Sequence, residues 1–332
     1  MRDRILSCLR ESQGKPVSGE AISKRFGVTR AAIWKHMQAL KEEGYEIETV
    51  PRKGYRLVGT PDRLLPSEVL SGLRTRWLGK NILYEDSVSS TNDMAKRAAA
   101  EGCAHGTIAL AEEQGQGRGR LTRGWFSPYA KGVWFSCVFR PTFLPQQASK
   151  CTLMAAVALA RAFERYPGVK VGIKWPNDIL TAEGKKLVGI LAEMNAEMDA
   201  INFIVLGMGV NVNSDMEDFP EELKPLASSL RMLSGGAVLD RKKLLHVMLE
   251  ELENAFDDVT KNGFDGLLDE WRKRSITLGQ HVNVIAQDET YSGLALDIDQ
   301  QGTLLVKRDS DGSVEQVWAG DVSIRPVKPA DK

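Results

Sequence analysis

Histidine and cysteine are both scarce, with four of each in 332 residues. Cys8, Cys103, Cys137 and Cys151 are scattered and never form C-x-x-C, so neither a structural zinc site nor a disulfide framework is expected. No apolar run reaches the length of a membrane span, and the opening Met-Arg-Asp-Arg-Ile-Leu-Ser-Cys-Leu-Arg is too polar for a signal peptide. A soluble, cytoplasmic protein with no membrane partner is therefore expected. Net charge is also missing: 44 Lys+Arg balance 44 Asp+Glu, so no global field selects a partner. The glycine-rich stretch at 115–124 fits neither G-x-x-x-x-G-K-[ST] nor G-x-G-x-x-G, which excludes a P-loop and the dinucleotide fingerprint.

The charge balance hides an asymmetry. Residues 1–60 hold twelve Lys/Arg against seven Asp/Glu, about +5, and the remainder carries about −5. Such a basic end on a mildly acidic body points to nucleic-acid contact confined to that end. Its pattern reads as a short helix (Ile5, Leu6, Leu9), a second helix capped by Ser18, a turn at Gly27-Val28-Thr29, and a third helix over 30–43. In the third, Ile33, Met37 and Leu40 recur at helical spacing and face inward. The opposite stripe carries Arg30, Trp34 and Gln38, with Ala31 and Lys35 beside it. Two alternating runs then flank a basic tip, Pro51-Arg52-Lys53-Gly54. This is the order of a winged helix-turn-helix. One helix fits the major groove, and Arg52, Lys53 and Arg56 on the wing would fix register on phosphates. The expected DNA-contacting set is Ser18, Thr29, Arg30, Ala31, Trp34, Lys35, Gln38, Arg52 and Lys53. A three-helix protein-binding domain shares the pattern, and Trp34 could instead pack on the first helix.

After a linker-like Gly59–Pro66 segment (59–66), the pattern mixes strands (82–84, 107–111, 132–139, 169–175, 187–194, 201–210) with helices (91–100, 147–166, 239–260). That predicts an α/β (α+β) domain with one large sheet. Five constellations lie in it. Ser89-Ser90-Thr91-Asn92 opens a helix and offers hydroxyls, an amide and free N–H groups to a small polar head group, although Ser90 or Thr91 alone also fits a plain N-cap. The loop Glu112-Glu113-Gln114-Gly115-Gln116-Gly117-Arg118-Gly119-Arg120-Leu121-Thr122-Arg123-Gly124 combines pliant backbone with planar cations suited to carboxylate and phosphate, so it should close over an anion. Taken alone it could equally be a surface turn or a nucleic-acid tether. Lys174-Trp175-Pro176-Asn177-Asp178 clusters a cation, an indole, an amide and a carboxylate at a proline corner, and Lys186 opens the apolar run Leu187-Val188-Gly189-Ile190-Leu191. Gly207-Met208-Gly209-Val210-Asn211-Val212-Asn213 breaks a strand with glycines where side chains would block a ligand. Finally, residues 276–326 show short glycine-punctuated strands, a small β unit.

The set together resembles the bacterial bifunctional biotin–protein ligase and biotin operon repressor family. Ser90-Thr91-Asn92, Gly117-Arg118-Gly119-Arg120, Lys174-Trp175-Pro176-Asn177-Asp178, Lys186-Leu187-Val188-Gly189-Ile190-Leu191 and Gly207-x-Gly-x-Asn-x-Asn213 occur in the family's order and roughly its spacing. The likeness extends over nearly the whole chain, including the winged helix. It implies three domains: 1–60 winged helix-turn-helix, 67–270 catalytic with a large mixed sheet, and 276–326 an SH3-like β-barrel. It also implies an activity in two steps, with biotin and ATP giving biotinyl-5′-AMP, followed by transfer to a lysine of a carboxylase carrier domain. ATP would bring Mg²⁺, with no metal fixed by the protein. By this resemblance Ser90, Thr91, Asn92, Gln114, Arg118, Gly119, Arg120, Trp125 and Lys186 bind biotin. Asn177, Gly207, Gly209, Asn211, Asn213 and Arg325 lie near the nucleotide. Lys186, Arg118 and Arg120 supply catalytic charge, and Asp178 orients or deprotonates the acceptor lysine, a task that water could also perform. One departure is Leu121-Thr122-Arg123, where some members carry Arg-Gly-Arg, so Arg123 is a weaker match than Arg118 or Arg120. The resemblance further implies operator binding by a homodimer that forms on the adenylate. A lipoate ligase, or a transcription factor that only senses biotin, are the competing readings. The winged helix and the Gly-Arg-Gly-Arg loop disfavour the first, and the cation set disfavours the second.

Overall fold

The computed structural model describes residues 1–197, 200–286, 289–318 and 323–326. Two compact units emerge, Met1–Arg63 and Leu64–Lys332.

In the first unit, α1 (Arg2–Glu11), α2 (Gly19–Phe26) and α3 (Arg30–Glu42) precede a hairpin of β1 (Glu46–Val50) and β2 (Gly54–Gly59). Ile5, Leu6, Leu9, Ile22, Ile33, Met37 and Leu40 are all buried, as the helical spacing requires. Ser18 Oγ accepts the Ala21 N–H at 3.0 Å and Thr29 Oγ1 accepts the Ala32 N–H at 3.2 Å. Gly27 ends α2 in the left-handed region (φ 66°), which turns the chain tightly into α3.

The second unit begins with α4 (Pro66–Leu70), β3 (Ile82–Val88), α5 (Thr91–Ala100), β4 (Ile108–Gln114) and β5 (Gly132–Phe139). It continues through α6 (Lys150–Glu164), β6 (Val171–Lys174), β7 (Asp178–Thr181), β8 (Lys186–Ala196) and β9 (Ile201–Asn211), then α7 (Leu230–Leu233), α8 (Arg241–Asn262) and α9 (Asp265–Arg274). Strands β3 to β9 form one sheet in the order β3-β4-β5-β9-β8-β7-β6, with β3 and β4 parallel and every other pair antiparallel. Both faces of its centre are covered, so β4 and β5 read as apolar runs rather than alternating ones. Period-2 geometry still sorts them. Ile108, Leu110, Phe135 and Cys137 join the large core with α6 and α8, whereas Ala109 and Val138 pack against Ala95 and Ala99 of α5.

The chain closes with β10 (His281–Ile285), β11 (Thr290–Ile298), β12 (Leu304–Arg308), β13 (Val314–Val317) and β14 (Ser323–Pro326). They form an antiparallel sheet ordered β13-β12-β11-β10-β14. Val282, Val284, Ala295, Ile298 and Leu304 extend the large core. The Trp175 backbone N–H donates to Thr277 Oγ1 (2.9 Å) and its indole to the Gly302 carbonyl (3.1 Å), tying the proline corner to this sheet.

Candidate active site

A cavity of about 320 Å³ opens beside β9, β8 and the start of α5. Its lining is drawn from stretches far apart in sequence. Ser90, Thr91 and Asn92 come from the start of α5, and Gln114 from the end of β4. Arg118, Gly119, Arg120 and Trp125 follow from the next loop, Asn177 and Asp178 from the β6–β7 corner, and Lys186 from the start of β8. Gly207, Gly209 and Asn211 join from β9, and Phe219, Leu223, Leu226 and Ala227 from the segment after it. Sheet order explains the convergence. Parallel pairing of β3 with β4 sets the start of α5 beside the end of β4, and β9 lies between β5 and β8.

One wall is a polar network. Gln114 Oε1 accepts the Thr91 backbone N–H (2.9 Å) and hydroxyl (3.1 Å), and Gln114 Nε2 donates to Ser127 Oγ (2.9 Å). Ser136 Oγ lies 2.8 Å from Thr91 Oγ1 and 2.6 Å from Asn92 Oδ1. Asn92 Nδ2 donates to Glu193 Oε2 at 2.7 Å. Ser90 occupies the N-cap position of α5 with no side-chain cap hydrogen bond, so the plain-cap reading does not hold for it. Buried polar groups held this way fix one geometry, which suits recognition of a neutral, multiply hydrogen-bonding head group.

The three expected cations part company. Lys186 Nζ pairs with Asp178 Oδ1 at 2.8 Å and sits 5.1 Å from the Trp125 ring centroid. Arg120 Nη1 lies 3.4 Å from Asn177 Oδ1, while Arg118 pairs with Asp93. The loop carrying the arginines is already folded back on itself. Gly119 N–H donates to Arg123 O and Trp125 N–H to Gly117 O, both at 2.7 Å, and Arg118 and Gly124 form a bridge. An unstructured tether would show no such cross-strand bonds.

The glycines are required by packing against protein atoms. A Cβ on Gly209 would lie 2.1 Å from Trp125 Nε1, and one on Gly207 2.0 Å from Asn92 Oδ1. Both therefore stand beside residues expected to hold biotin, because the indole and the amide press closely on bare backbone. The Trp125 indole N–H is buried without an acceptor among the described residues, which leaves a donor for a bound molecule.

One expected nucleotide contact is placed elsewhere. Asn213 is absent from the cavity lining, and its amide is spent on both polar groups of Leu239, donating to the carbonyl and accepting the N–H at 2.9 Å each. It holds the approach to α8, a structural task. Arg325 pairs through its backbone with Asn283 on β10, while its side chain lies outside the described residues. Conversely, Ser127, Ser136, Glu193 and Asp93 belong to the site's polar frame but stood in no recognisable motif. Only their pairing with residues 13 to 101 positions away reveals them. The thiols take no part: Cys137 and Cys151 are fully buried, and burial pushes Cys151 up to about 12.

In the N-terminal unit the α3 stripe is available. Trp34 is 55% exposed. Ala31 and Lys35 are exposed beside it, Gln38 is half-buried, and Arg30 pairs with Glu20 at 2.6 Å. Arg52 and Lys53 are exposed at the hairpin tip, with Arg52 in the left-handed region (φ 62°), whereas Arg56 is paired with Glu48. Ser18 and Thr29, expected at DNA, are engaged as helix caps.

Comparison with known proteins agrees with this geometry. Residues 2–56 match an HTH domain, 84–211 the biotin/lipoate A/B protein ligase family, and 277–325 the biotin protein ligase C-terminal domain. The chain is 37% identical over 324 residues to the bifunctional ligase/repressor BirA of Bacillus subtilis, covering 98% of each chain. It is 31% identical over 317 residues to that of Escherichia coli, covering 96% of this chain and 95% of the relative. Among solved structures, biotin protein ligase from Aquifex aeolicus in complex with biotin and ATP aligns with TM-score 0.64 at 25% identity, over 75% of this chain and all of that one. An N-terminal helix-turn-helix unit, a ligase fold around one polar cavity and full-length similarity lead to one conclusion: this chain belongs to the family of bifunctional biotin ligase/repressors.

Proposed function

We infer that the protein is an ATP-dependent biotin–protein ligase that is also a biotin-responsive transcriptional repressor. The observation that carries the ligase reading is the cavity itself, whose lining joins a fixed polar wall (Thr91, Asn92, Gln114) to Lys186, Arg120 and the Trp125 ring.

The wall takes the neutral ureido head of biotin, with Ser90 supplying a hydroxyl uncommitted to the helix cap. Unpaired polar groups there would cost about 1–3 kcal/mol each, which makes this wall selective. The valeryl carboxylate then lies toward Lys186. A carboxylate oxygen attacks the α-phosphorus of ATP, the bond from that phosphorus to the bridging oxygen breaks, and pyrophosphate leaves. The two reactants repel, so Lys186 and Arg120 offset the charge that gathers on the phosphorus oxygens. Asn177 and Asn211 stand on the nucleotide side. Mg²⁺ carried on the triphosphate would neutralise charge on the leaving group. In the second step the amine nitrogen of the carrier lysine attacks the acyl carbon and AMP leaves with the bonding pair. Once Lys186 turns to the acyl-phosphate, Asp178 is freed from its 2.8 Å pair and can orient the incoming lysine or take its proton.

The α3 stripe, Ala31, Trp34, Lys35 and Gln38 beside Arg30, enters the major groove, and Arg52 and Lys53 meet phosphate. Substrate nucleotide and operator DNA place the protein in the cytoplasm. The adenylate orders the catalytic face and favours a homodimer that binds the operator, and unbiotinylated carrier relieves repression by consuming it. Such coupling is typically about 1–3 kcal/mol.

The test is pyrophosphate release with biotin, ATP and a carboxylase carrier domain, together with sedimentation. Biotin-dependent release and a shift from monomer to dimer with biotin plus ATP are expected. Absence of release would defeat the ligase reading, and an unchanged sedimentation profile would defeat the regulatory one. A sharper check is Gly209→Ala. The added methyl must displace the Trp125 indole, so biotin affinity should fall about 5- to 150-fold, the equivalent of a typical overpacking penalty, as read by calorimetry. Wild-type affinity in this variant would mean that the indole does not wall the biotin site.

A further inference from the structure

Beside the head-group wall lies a cluster of four charges, three on rigid elements and one on the loop. Asp93 and Lys96 stand on α5 and Glu193 on β8. Lys96 Nζ is 2.7 Å from Glu193 Oε1 and 3.2 Å from Asp93 Oδ1. Glu193 Oε2 accepts Asn92 Nδ2 at 2.7 Å, which joins the cluster to the wall. The fourth member is Arg118, whose Nη2 meets Asp93 Oδ1 and lies 3.8 Å from Glu193 Oε2. Burial disfavours the Lys96 ammonium, yet hydrogen bonds to Glu193 and Asp93 outweigh it and raise its pKa, so it stays charged. The three fixed groups therefore carry one net negative charge, which a single guanidinium neutralises.

We propose that Asp93, backed by Lys96 and Glu193, is a socket that receives the Arg118 side chain and pins the glycine–arginine loop over the bound adenylate. This rests on the ligase reading and revises one role within it. Arg118 becomes a positioning residue, and Arg120 and Lys186 remain the cations that meet carboxylate and phosphate. Loop geometry favours a pin at this position. Arg118 bridges Gly124 across the loop, so holding it holds both arms. Its neighbour Gly117 is seated so closely that a Cβ there would lie 2.3 Å from the Trp125 carbonyl. One socket thus secures the loop and the indole beneath it. The reactive anhydride of the adenylate is then shielded from water, and from escape, by an ion pair outside the reacting atoms.

The experiment follows the lifetime of biotinyl-5′-AMP formed on the full-length protein from biotin and ATP without acceptor. Wild type, Asp93→Asn and Asp93→Glu are compared at low and high salt, and thermal unfolding confirms that each is folded. Asp93→Asn is expected to shorten the lifetime by up to about fivefold, the upper end for a partly exposed ion pair. Asp93→Glu retains the charge and should restore most of it. Raising salt from about 0.05 to 0.5 M should shorten the wild-type lifetime and leave that of Asp93→Asn almost unmoved, because only the former has an ion pair to screen. A wild-type lifetime in Asp93→Asn, or a loss equally salt-dependent in both proteins, would overturn the socket. Wild type that makes no adenylate would instead overturn the ligase reading, and the socket with it.

Discussion

Lys186→Met should slow adenylate formation by about 10²–10³, the loss seen when one preorganised donor to a developing oxyanion is removed. The ammonium is held at the start of β8 between Asp178, 2.8 Å away, and the Trp125 face, 5.1 Å from its centroid. Its backbone is clamped as well. Lys186 N–H donates to Leu226 O at 2.7 Å, and Ser228 N–H donates to Lys186 O at 3.0 Å, so the charge is delivered from a fixed base. Methionine keeps the stem's length and apolar contact while deleting the charge, which separates electrostatics from packing. Removing the charge also leaves the Asp178 carboxylate facing an incoming carboxylate and a triphosphate, adding repulsion where attraction is required. Lys186→Met/Asp178→Asn should therefore recover part of the loss in adenylation but not in transfer to the carrier. The readout is biotin-dependent pyrophosphate release under single-turnover conditions, with thermal unfolding as control. A loss below about fivefold in the single variant would be too small for a charge on the reacting atoms.

Glu112→Ala should lower stability by about 3–5 kcal/mol, because it strands a buried guanidinium. Glu112 and Arg241 are both fully buried and paired at 2.8 Å, and Arg241 also donates to the Gly132 carbonyl at 3.0 Å. The other oxygen of Glu112 accepts the Leu64 N–H at 2.6 Å. One carboxylate thus ties the first residue of the second unit, strand β4 and the start of α8. The midpoint of thermal unfolding should fall by roughly 10 °C for a unit of this size. Glu112→Leu/Arg241→Met, which removes both charges, should recover most of the loss, since a buried pair gains little over an apolar pair of equal volume. Equal unfolding of the single and double variants would show that volume, not charge, governs the site. Gln114 lies two residues along the same strand, so a shifted Glu112 should also weaken biotin binding through the head-group wall.

How much was legible in the chain depended on how local the signal was. The helix at 91–100 and the strand at 132–139 are found at those residues, and α6 and α8 differ by a few residues at their ends, since helical and alternating periodicities are written within one element. Strand β7 was missed. Four residues folded back at Pro176 give too short a pattern, and the strand exists only because Lys174 pairs with Asp178 and Ile179 with Val188. Helix α9 was missed as well. Its three buried residues, Leu267, Leu268 and Trp271, make a stripe that only the adjoining core identifies.

The site divides in the same way. Chemically unusual runs, the arginines among glycines and the lysine, proline, asparagine and aspartate of the corner, identified part of the cavity lining. Motif membership did not assign their tasks. Asn213 shares a repeat with Asn211, yet along a strand that leaves the sheet after Asn211 it meets Leu239 rather than the cavity. Arg118 and Arg120 are two residues apart and chemically equal, but one reaches Asp93 and the other Asn177. By itself the sequence determined the family, the order of the helix-turn-helix and ligase units and the stock of reactive groups, because these reside in local pattern and residue type. Only the tertiary structure decided which groups face one another: the Glu112–Arg241 pair, the socket for Arg118 and the bare glycine floor under Trp125. Each is a contact between residues brought together by sheet order, and its energy depends on a distance that no spacing along the chain encodes.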